Sequence, residues 1–243
     1  MKIIQVVGTS GIGKTTFIEN LIPSLTALGR TAAVKHLGGH QYALEEGKDT
    51  TRFFQREASF AVGIDAEKAV LVAADGELDA TLRMLSDAGV EYAIIEGFKS
   101  RPYPKIVIGD LTIEHVVLRN PSVEEVMRSL DAFCDYLSAQ GLVWDLRREH
   151  GMDRKAKFFT YCGTVPGASG RAPAGCSEDR QGDLARIQAD LASTPGVIGV
   201  RLHAASGKVY AGEATIYMAV MAEDGSAGVL AMEKALNTLE RGR

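Results

Sequence analysis

Short apolar runs alternate with longer amphipathic stretches along most of the chain. "KIIQVVG", residues 2–8, is a buried-strand run closed by glycine. From Lys14 onward, Phe17, Ile18, Leu21, Ile22, Leu25 and Leu28 recur at helical spacing, and Gly29 stops the pattern. Pro23 lies inside it. A proline costs about 3 kcal/mol in a regular helix interior, so a kink there or an end before Gly29 is expected. "TAAVKHL" reads as a second strand. "GGHQYALEEGKDTTRF" has no firm period and predicts a loop entering a short helix near Thr50. "KAVLVAA", residues 68–74, reads as another buried strand. Asp75 is placed to cap a following helix, with Leu78, Leu82 and Leu85 on one face. "VEYAIIEG", "KIVIGD" and "EHVVLRN" predict three further strands. Ser122 precedes Glu125 at capping-box spacing and opens a helix expected to run to about Gln140. This alternation predicts an α/β domain with a mainly parallel sheet.

The pattern changes after Gly141. "WDLRREHGMDRKAK" is charged and either joins two domains or opens the second. "FFTYCGTV" reads as a strand, and residues 166–183, rich in Gly, Pro, Ser and Ala, as a loop. A helix (184–193), a strand (197–204), a glycine turn, a strand (214–222) and a final helix (227–240) complete an α+β unit. Two domains are therefore expected, 1–141 and 142–243, with no internal repeat.

Composition narrows the class. The 243 residues are 46% hydrophobic and 24% charged, as in a globular protein, and either part is long enough to bury a core. A formal charge of −4 argues against nucleic acid as a partner. Cys134, Cys162 and Cys176 make no CxxC pair, and their odd number fits no complete disulfide framework. A reducing cytoplasm is the expected compartment, and zinc-ligand spacing is missing. No run reaches the roughly 18 apolar residues of a membrane span, so no membrane partner is expected. The opening "MKIIQVVG" is too short for a signal peptide and reads as the first strand.

The chemistry concentrates in "GTSGIGKTT", residues 8–16. It matches G-x-x-x-x-G-K-[ST], the Walker A phosphate loop, through Gly8, Gly13, Lys14 and Thr15. Gly8, Gly11 and Gly13 permit the positive φ that turns backbone N–H groups toward phosphate oxygens. Thr9, Ser10, Ile12 and Thr16 contribute further amides of the cradle. Lys14 supplies a point charge near the terminal phosphates, and the Thr15 hydroxyl is the expected Mg²⁺ ligand. The helix that follows aims its positive end at the same anion.

Such a site also needs an acid at a neighbouring strand end. Glu96, closing "YAIIEG", is the expected catalytic and metal-binding acid, and Asp49 in "GKDTTR" is a second candidate for both roles. Lys35, His36 and His40 lie at the carboxyl end of the second strand, where open α/β sheets bind ligands, and suit an anion or a pterin. Lys48, Arg52, Lys99 and Arg101 are further basic candidates for phosphate, or solvated charges. The N-T-K-x-D pattern that reads guanine is absent, so chemistry alone leaves GTP and ATP open.

"VVGTSGIGKTTFIENLIPSLTALGRTAAVKH", "GKDTTRF" and "YAIIEGFKSRPYPKI", in that order, resemble the molybdopterin-guanine dinucleotide biosynthesis adaptor (MobB) family over roughly residues 1–140. The resemblance implies a P-loop NTPase fold, a homodimer, GTP with Mg²⁺ as ligands and weak GTPase activity. It implies assistance to the guanylyltransferase that joins GMP to molybdopterin, with molybdopterin itself as a further candidate ligand. The family's phosphate loop falls on Gly11, Gly13, Lys14, Thr15 and Thr16, and its acids on Asp49 and Glu96. "KHLGGHQYAL" departs from the family's denser histidine and aspartate cluster, although His40 is kept.

The second part resembles, more faintly, the large subunit of molybdopterin synthase (MoaE). "FFTYCGTVPG" and "GVIGVRLHAASGKVYAGEATIYMAVMAEDGSAGVLAMEKALNTL" carry the likeness, with His203, Gly207, Gly212 and Glu213 on matching places. That family draws sulfur from a thiocarboxylated carrier protein, which becomes a candidate partner. Pro166 and Asp224 or Gly225 stand where arginines are expected, and the sequence stops at Arg243, before the family's lysine-bearing segment. Sulfur transfer is therefore not expected, since anion-binding arginines and an activated lysine perform it. Arg171 and Arg180 are candidate replacements. The expected fold is a P-loop α/β domain followed by a smaller α+β domain. The expected function is GTP binding with slow hydrolysis in molybdenum cofactor maturation. The alternatives are a P-loop small-molecule kinase and a bifunctional protein with residual molybdopterin synthase activity.

Overall fold

The computed structural model describes residues 1–38, 44–152, 155–164, 178–204 and 214–241. The chain divides into two units. The first takes in Met1–Leu85 and Val90–Tyr136, the second Ser86–Gly89 and Leu137–Arg243.

The first unit is built on five parallel strands. These are β1 (Lys2–Gly8), β2 (Thr31–Lys35), β5 (Tyr92–Glu96), β6 (Lys105–Ile108) and β7 (Val116–Arg119), in the order β2-β5-β1-β6-β7. β1 is central, and six of its seven residues are buried, as a strand covered on both faces requires. On one face Ile4, Val6, Ile94 and Ile106 pack with Ile18, Leu21 and Leu25 of α1 (Lys14–Thr26) and Val126 of α4 (Val123–Arg128). On the other, Ile3, Ala93 and Ile95 pack with Leu78 and Leu82 of α3 (Leu78–Asp87). α1 runs through Pro23 and ends at Thr26, before Gly29.

Three expectations are corrected. Residues 178–183, expected at the end of a loop, open a helix that runs over Glu178–Ala192. Residues 68–74 do not form a buried strand of the main sheet. β4 (Ala69–Ala73) instead pairs antiparallel with β3 (Phe60–Ile64) in a separate two-stranded ribbon. Phe60, Val62, Ile64 and the cross-strand Leu71 share one face of it and are exposed, Ile64 to 80%. Its other face includes the buried Ala61 and lies towards α2 (Asp49–Gln55), whose Thr51 is also buried.

The helix opened by Ser122 also stops early. The capping box forms, but α4 ends at Arg128 and a single 3-10 turn follows at Leu130–Ala132. Phe133 is buried, and the chain then lies against the start of β1, with Ile3 N donating to Cys134 O at 2.9 Å and Tyr136 N to Met1 O at 2.7 Å. These non-local bonds satisfy the backbone there in place of a helix ladder.

In the second unit Ser138 caps α5 (Ala139–His150), accepting from Gly141 N at 3.0 Å. The charged stretch near Trp144 is therefore a helix of the second unit, with Leu142, Val143 and Leu146 buried. β8 (Lys157–Thr164), β10 (Ala214–Ala222) and β9 (Val197–Ala204) form an antiparallel sheet in the order β8-β10-β9. α6 (Glu178–Ala192) and α7 (Gly225–Arg241) contribute Leu184, Ile187, Leu191, Ala231 and Ala235 to a core with Val200, Leu202, Met218 and Val220. α5 packs with Ala219 and Met221.

Candidate functional site

β1 ends at Gly8 and α1 starts at Lys14, so residues 9–13 form the turn between the central strand and its helix. Gly11 (φ 73°) and Gly13 (φ 95°) adopt left-handed conformations that side chains disfavour. Gly13 is the N-cap of α1, no side chain caps that end, and no acid stands in the first turn. The positive helix end is thus free of internal neutralisation, as an anion site requires. Gly8 pairs with Ile108, and a Cβ there would press on the Ile108 carbonyl. The Lys14 ammonium bonds to the Thr9 carbonyl at 2.5 Å, folded over the same loop.

Strand pairing brings three predicted side chains together. β2 and β5 are neighbours with Lys35 opposite Glu96, and β1 lies beside β5. Lys35 Nζ stands 3.2 Å from Glu96 Oε2 and 3.4 Å from Thr15 Oγ1, and Thr15 Oγ1 is 3.5 Å from Glu96 Oε2. Glu96 is mostly buried, its side chain 14% exposed, while Lys35 is 53% exposed. A hydroxyl and a carboxylate at this separation are a hard oxygen pair suited to Mg²⁺.

The turn after β5 is unusual. Gly97 (φ 95°) is followed by Phe98 at φ 48°, a left-handed conformation that a bulky residue rarely adopts. The Phe98 ring stacks on His36 with centroids 4.4 Å apart and an interplanar angle of 27°. A Cβ at Gly97 would meet the His36 Cβ at 2.9 Å, so glycine permits the approach. Nothing in the alternation of apolar residues signals this stack.

The remaining predicted residues lie elsewhere. Asp49 opens α2, is 76% exposed and pairs with Arg52 at 3.5 Å, and no described contact joins it to Thr15 or Glu96. Lys48 pairs with Glu45 at 3.5 Å and Arg101 with Asp79 at 2.9 Å, while Lys99 is exposed. His40 lies outside the described residues, as do Pro166, Arg171, Cys176, Gly207, Gly212 and Glu213, and the Arg180 side chain is likewise not described. In the second unit His203 of β9 lies opposite Tyr217 of β10, which lies opposite Cys162 of β8. Asp224 accepts from Ala227 N at 2.9 Å at the start of α7, a capping role in place of an anion contact. Among the described residues no cluster of three or more His, Cys, Asp or Glu is placed to hold a metal, and no helix is long and apolar enough to cross a membrane.

Burial, with the Asp79 carboxylate adding to it, pushes the Tyr103 phenol up to about 12 from its ordinary 10.0. An acid with a raised folded value keeps its proton longer in the native state. Its contribution is therefore intact below pH 10 and is lost between pH 10 and about 12. In urea titrations, the stability difference between wild type and Tyr103→Phe should be flat below pH 10 and shrink across that window. A difference unchanged to pH 12 would refute the assignment.

Comparison with known proteins places residues 3–128, just over half of the chain, in the family described as Molybdopterin guanine dinucleotide synthesis protein B. A probable molybdopterin-guanine dinucleotide biosynthesis adapter protein of Bacillus subtilis (strain 168) is 36% identical over 110 residues, 44% of this chain and 64% of the relative. The corresponding adapter protein of Haemophilus influenzae is 30% identical over 110 residues, 44% of this chain and 62% of the relative. The crystal structure of Bacillus subtilis MobB aligns with a TM-score of 0.45 at 25% identity, covering 56% of this chain and 100% of that one. The matched part spans somewhat under two thirds of the length of these curated relatives.

Proposed function

The chain belongs to the molybdopterin guanine dinucleotide synthesis protein B family, and from that membership we propose that it is a GTP-binding accessory protein of molybdenum cofactor biosynthesis. It binds GTP with Mg²⁺, hydrolyses it slowly, and acts as a cytoplasmic homodimer beside the guanylyltransferase that uses molybdopterin. The observation that supports this reading is the convergence of Thr15, Lys35 and Glu96 beside the Gly11–Gly13 turn. The donor set fits the ligands. Amides of residues 9–16 and Lys14 would hold the phosphates, and Thr15 and Glu96 would hold the metal. Mg²⁺ supplies charge neutralisation at the phosphate oxygens. Glu96, mostly buried next to Lys35, would hold the metal through water or polarise an attacking water; Lys35 offsets the negative charge that the carboxylate and an arriving phosphate share.

The second unit, in this reading, binds pterin or a partner protein, such as the thiocarboxylated sulfur carrier, or stabilises the dimer without transferring sulfur. The capping role of Asp224 supports the loss of one anion contact.

Titration calorimetry with GTP and ATP, with and without Mg²⁺, tests the proposal. GTP is expected to bind more tightly than ATP, and phosphate release to be slow with no phosphorylated small product. Glu96→Gln should weaken the Mg²⁺-dependent part of GTP binding about tenfold, roughly 1.4 kcal/mol, and leave metal-free binding nearly unchanged. Equal Mg²⁺ dependence in both proteins would remove Glu96 from the site. Rapid ADP formation that depends on a small-molecule acceptor would overturn the assignment to GTP.

A further inference from the structure

Two polar side chains of the first unit are buried without a part in the chemistry above. Gln5 lies in the middle of β1 at 0% exposure, and Lys105 opens β6 at 1%. They are direct partners in the parallel register between these strands, and Gln5 is also the partner of Ile95 on β5. They therefore stand side by side on one face of the sheet, at the level where β5 runs out into Glu96. Lys105 is the last lysine of "YAIIEGFKSRPYPKI".

Both reach the same turn. Gln5 Nε2 donates to the carbonyls of Gly97 at 2.6 Å and Phe98 at 2.8 Å. Lys105 Nζ donates to the carbonyls of Arg101 at 2.5 Å and Tyr103 at 3.0 Å. Four carbonyls within residues 97–103 are thus tied down from below. Gln5 holds the two consecutive residues whose φ is positive. Reversing its amide would set Oε1 against two carbonyl oxygens, so the orientation is fixed by its neighbours. The consequence is visible at the other end of the group, where Gln5 Oε1 is buried and has no hydrogen-bond partner among the described residues. An ammonium drawn out of water and a dry acceptor are both costly, and burial holds the Lys105 ammonium below its ordinary value while Glu114 works in the opposite direction. A left-handed phenylalanine adds further strain. Such costs persist where the surrounding contacts over-determine the conformation.

We propose that Gln5 and Lys105 are positioning residues: together they latch the turn 97–103 in its left-handed form, and so fix where the Glu96 carboxylate points and where the Phe98 ring meets His36. The two effects share one backbone. His36 N donates to Glu96 O at 2.9 Å and Gly97 N to Val6 O at 3.0 Å, so Glu96 is clamped between β2 and β1 while the latch holds the residues just beyond it. Without the latch, Phe98 relaxes to an ordinary right-handed or extended conformation. The peptide between Gly97 and Phe98 then rotates, the Phe98 ring leaves His36, and the Glu96 side chain loses the fixed backbone beyond it that aims the carboxylate at Thr15 and Lys35. The proposal rests on the reading of Glu96 as the metal-binding acid only for its functional consequence; the latch itself is a statement about the turn.

The test separates these two layers. In the full-length wild type, hydrogen exchange is read at Gly97 and at Arg101, whose N–H donates to Phe98 O at 2.9 Å. Both amides should exchange at least a hundredfold more slowly than free peptide. Free-peptide rates would overturn the latch whatever the ligand. Gln5→Met and Lys105→Met then remove the donors at similar volume, and Lys105→Gln retains a donating amide. In the two methionine variants, once shown to be folded, Arg101 exchange should accelerate by tenfold or more, with Lys105→Gln intermediate. Mn²⁺ affinity in the presence of GTP, read by electron paramagnetic resonance, should fall by tenfold or more, with Lys105→Gln intermediate. GTP binding without metal should stay within twofold of wild type. A lower melting temperature with unchanged exchange and unchanged Mn²⁺ affinity would show a merely structural role and overturn the proposal. Accelerated exchange in the variants, with a wild type that itself shows no GTP-dependent Mn²⁺ binding, would support the latch and refute the metal assignment of Glu96.

Discussion

Lys14→Ala is expected to weaken GTP binding by more than a hundredfold while leaving the fold intact. The Lys14 side chain makes one described bond, to the Thr9 carbonyl of its own loop, and is not part of either core cluster of the first unit. Removing it should change stability by no more than about 0.5 kcal/mol, as for other surface groups. Its loss from the complex is a different matter. An ammonium facing phosphate oxygens makes charge-assisted bonds of about 1.5–3 kcal/mol each, and two of them convert to roughly a hundredfold or more in Kd. Calorimetry with GTP and Mg²⁺, alongside a urea titration, measures both quantities. If affinity survives while the urea curve is unchanged, the turn between β1 and α1 is not the nucleotide cradle.

Gly8→Ala should damage the fold and the site together. Gly8 is the last residue of the central strand and pairs with Ile108 of β6. The added methyl would press on the Ile108 carbonyl and sit 3.1 Å from Ile12 Cγ2 and 3.3 Å from Lys14 Cδ. The Lys14 and Ile12 side chains can turn away; a backbone carbonyl inside a parallel ladder cannot do so without breaking the ladder. A cost of about 3 kcal/mol is expected, in line with overpacking of a tight interior. With a typical denaturant slope, the urea midpoint of the first unit should drop by about 1.5 M. The strand end would shift away from β6 and carry the phosphate loop with it, so GTP binding should also be lost. A variant with the wild-type midpoint would mean that β1 and β6 separate easily at this point.

These two residues were legible from the sequence because their signals are local. Glycine at set spacing, a lysine and a threonine between a strand run and a helical period lie within nine residues of one another. The Thr15–Lys35–Glu96 cluster was only half legible. Each member stood at a plausible strand end, but their meeting depends on β5 lying between β2 and β1, an order that periodicity does not encode. The strand at 68–74 misled for a related reason. A continuous apolar run suits a buried parallel strand and an exposed ribbon equally, and its partner "FAVGI" is short and interrupted by Gly63. The break after Arg128 was hidden because Phe133, Cys134 and Tyr136 continue the apolar content of the helix before them. The bonds of Cys134 and Tyr136 go to Ile3 and Met1, more than 130 residues away in the chain. The latch under the turn after β5 was invisible for the opposite reason. A glutamine in a strand and a lysine after a proline look like ordinary polar residues until the register sets them side by side.

The strand order also governs how this unit is born. β1 leaves the ribosome before any of its neighbours, yet it pairs with β5 and β6, whose residues run from 92 to 108. At a synthesis rate of about 5–20 residues per second, the central strand of the sheet waits on the order of 5–20 s for its partners. During that interval "KIIQVV" has α1 as a local cover and no ladder on either side. The amphipathic helix directly after it, with Ile18, Leu21 and Leu25 facing inward, therefore serves the nascent chain as a temporary shield before it serves the finished protein as a wall.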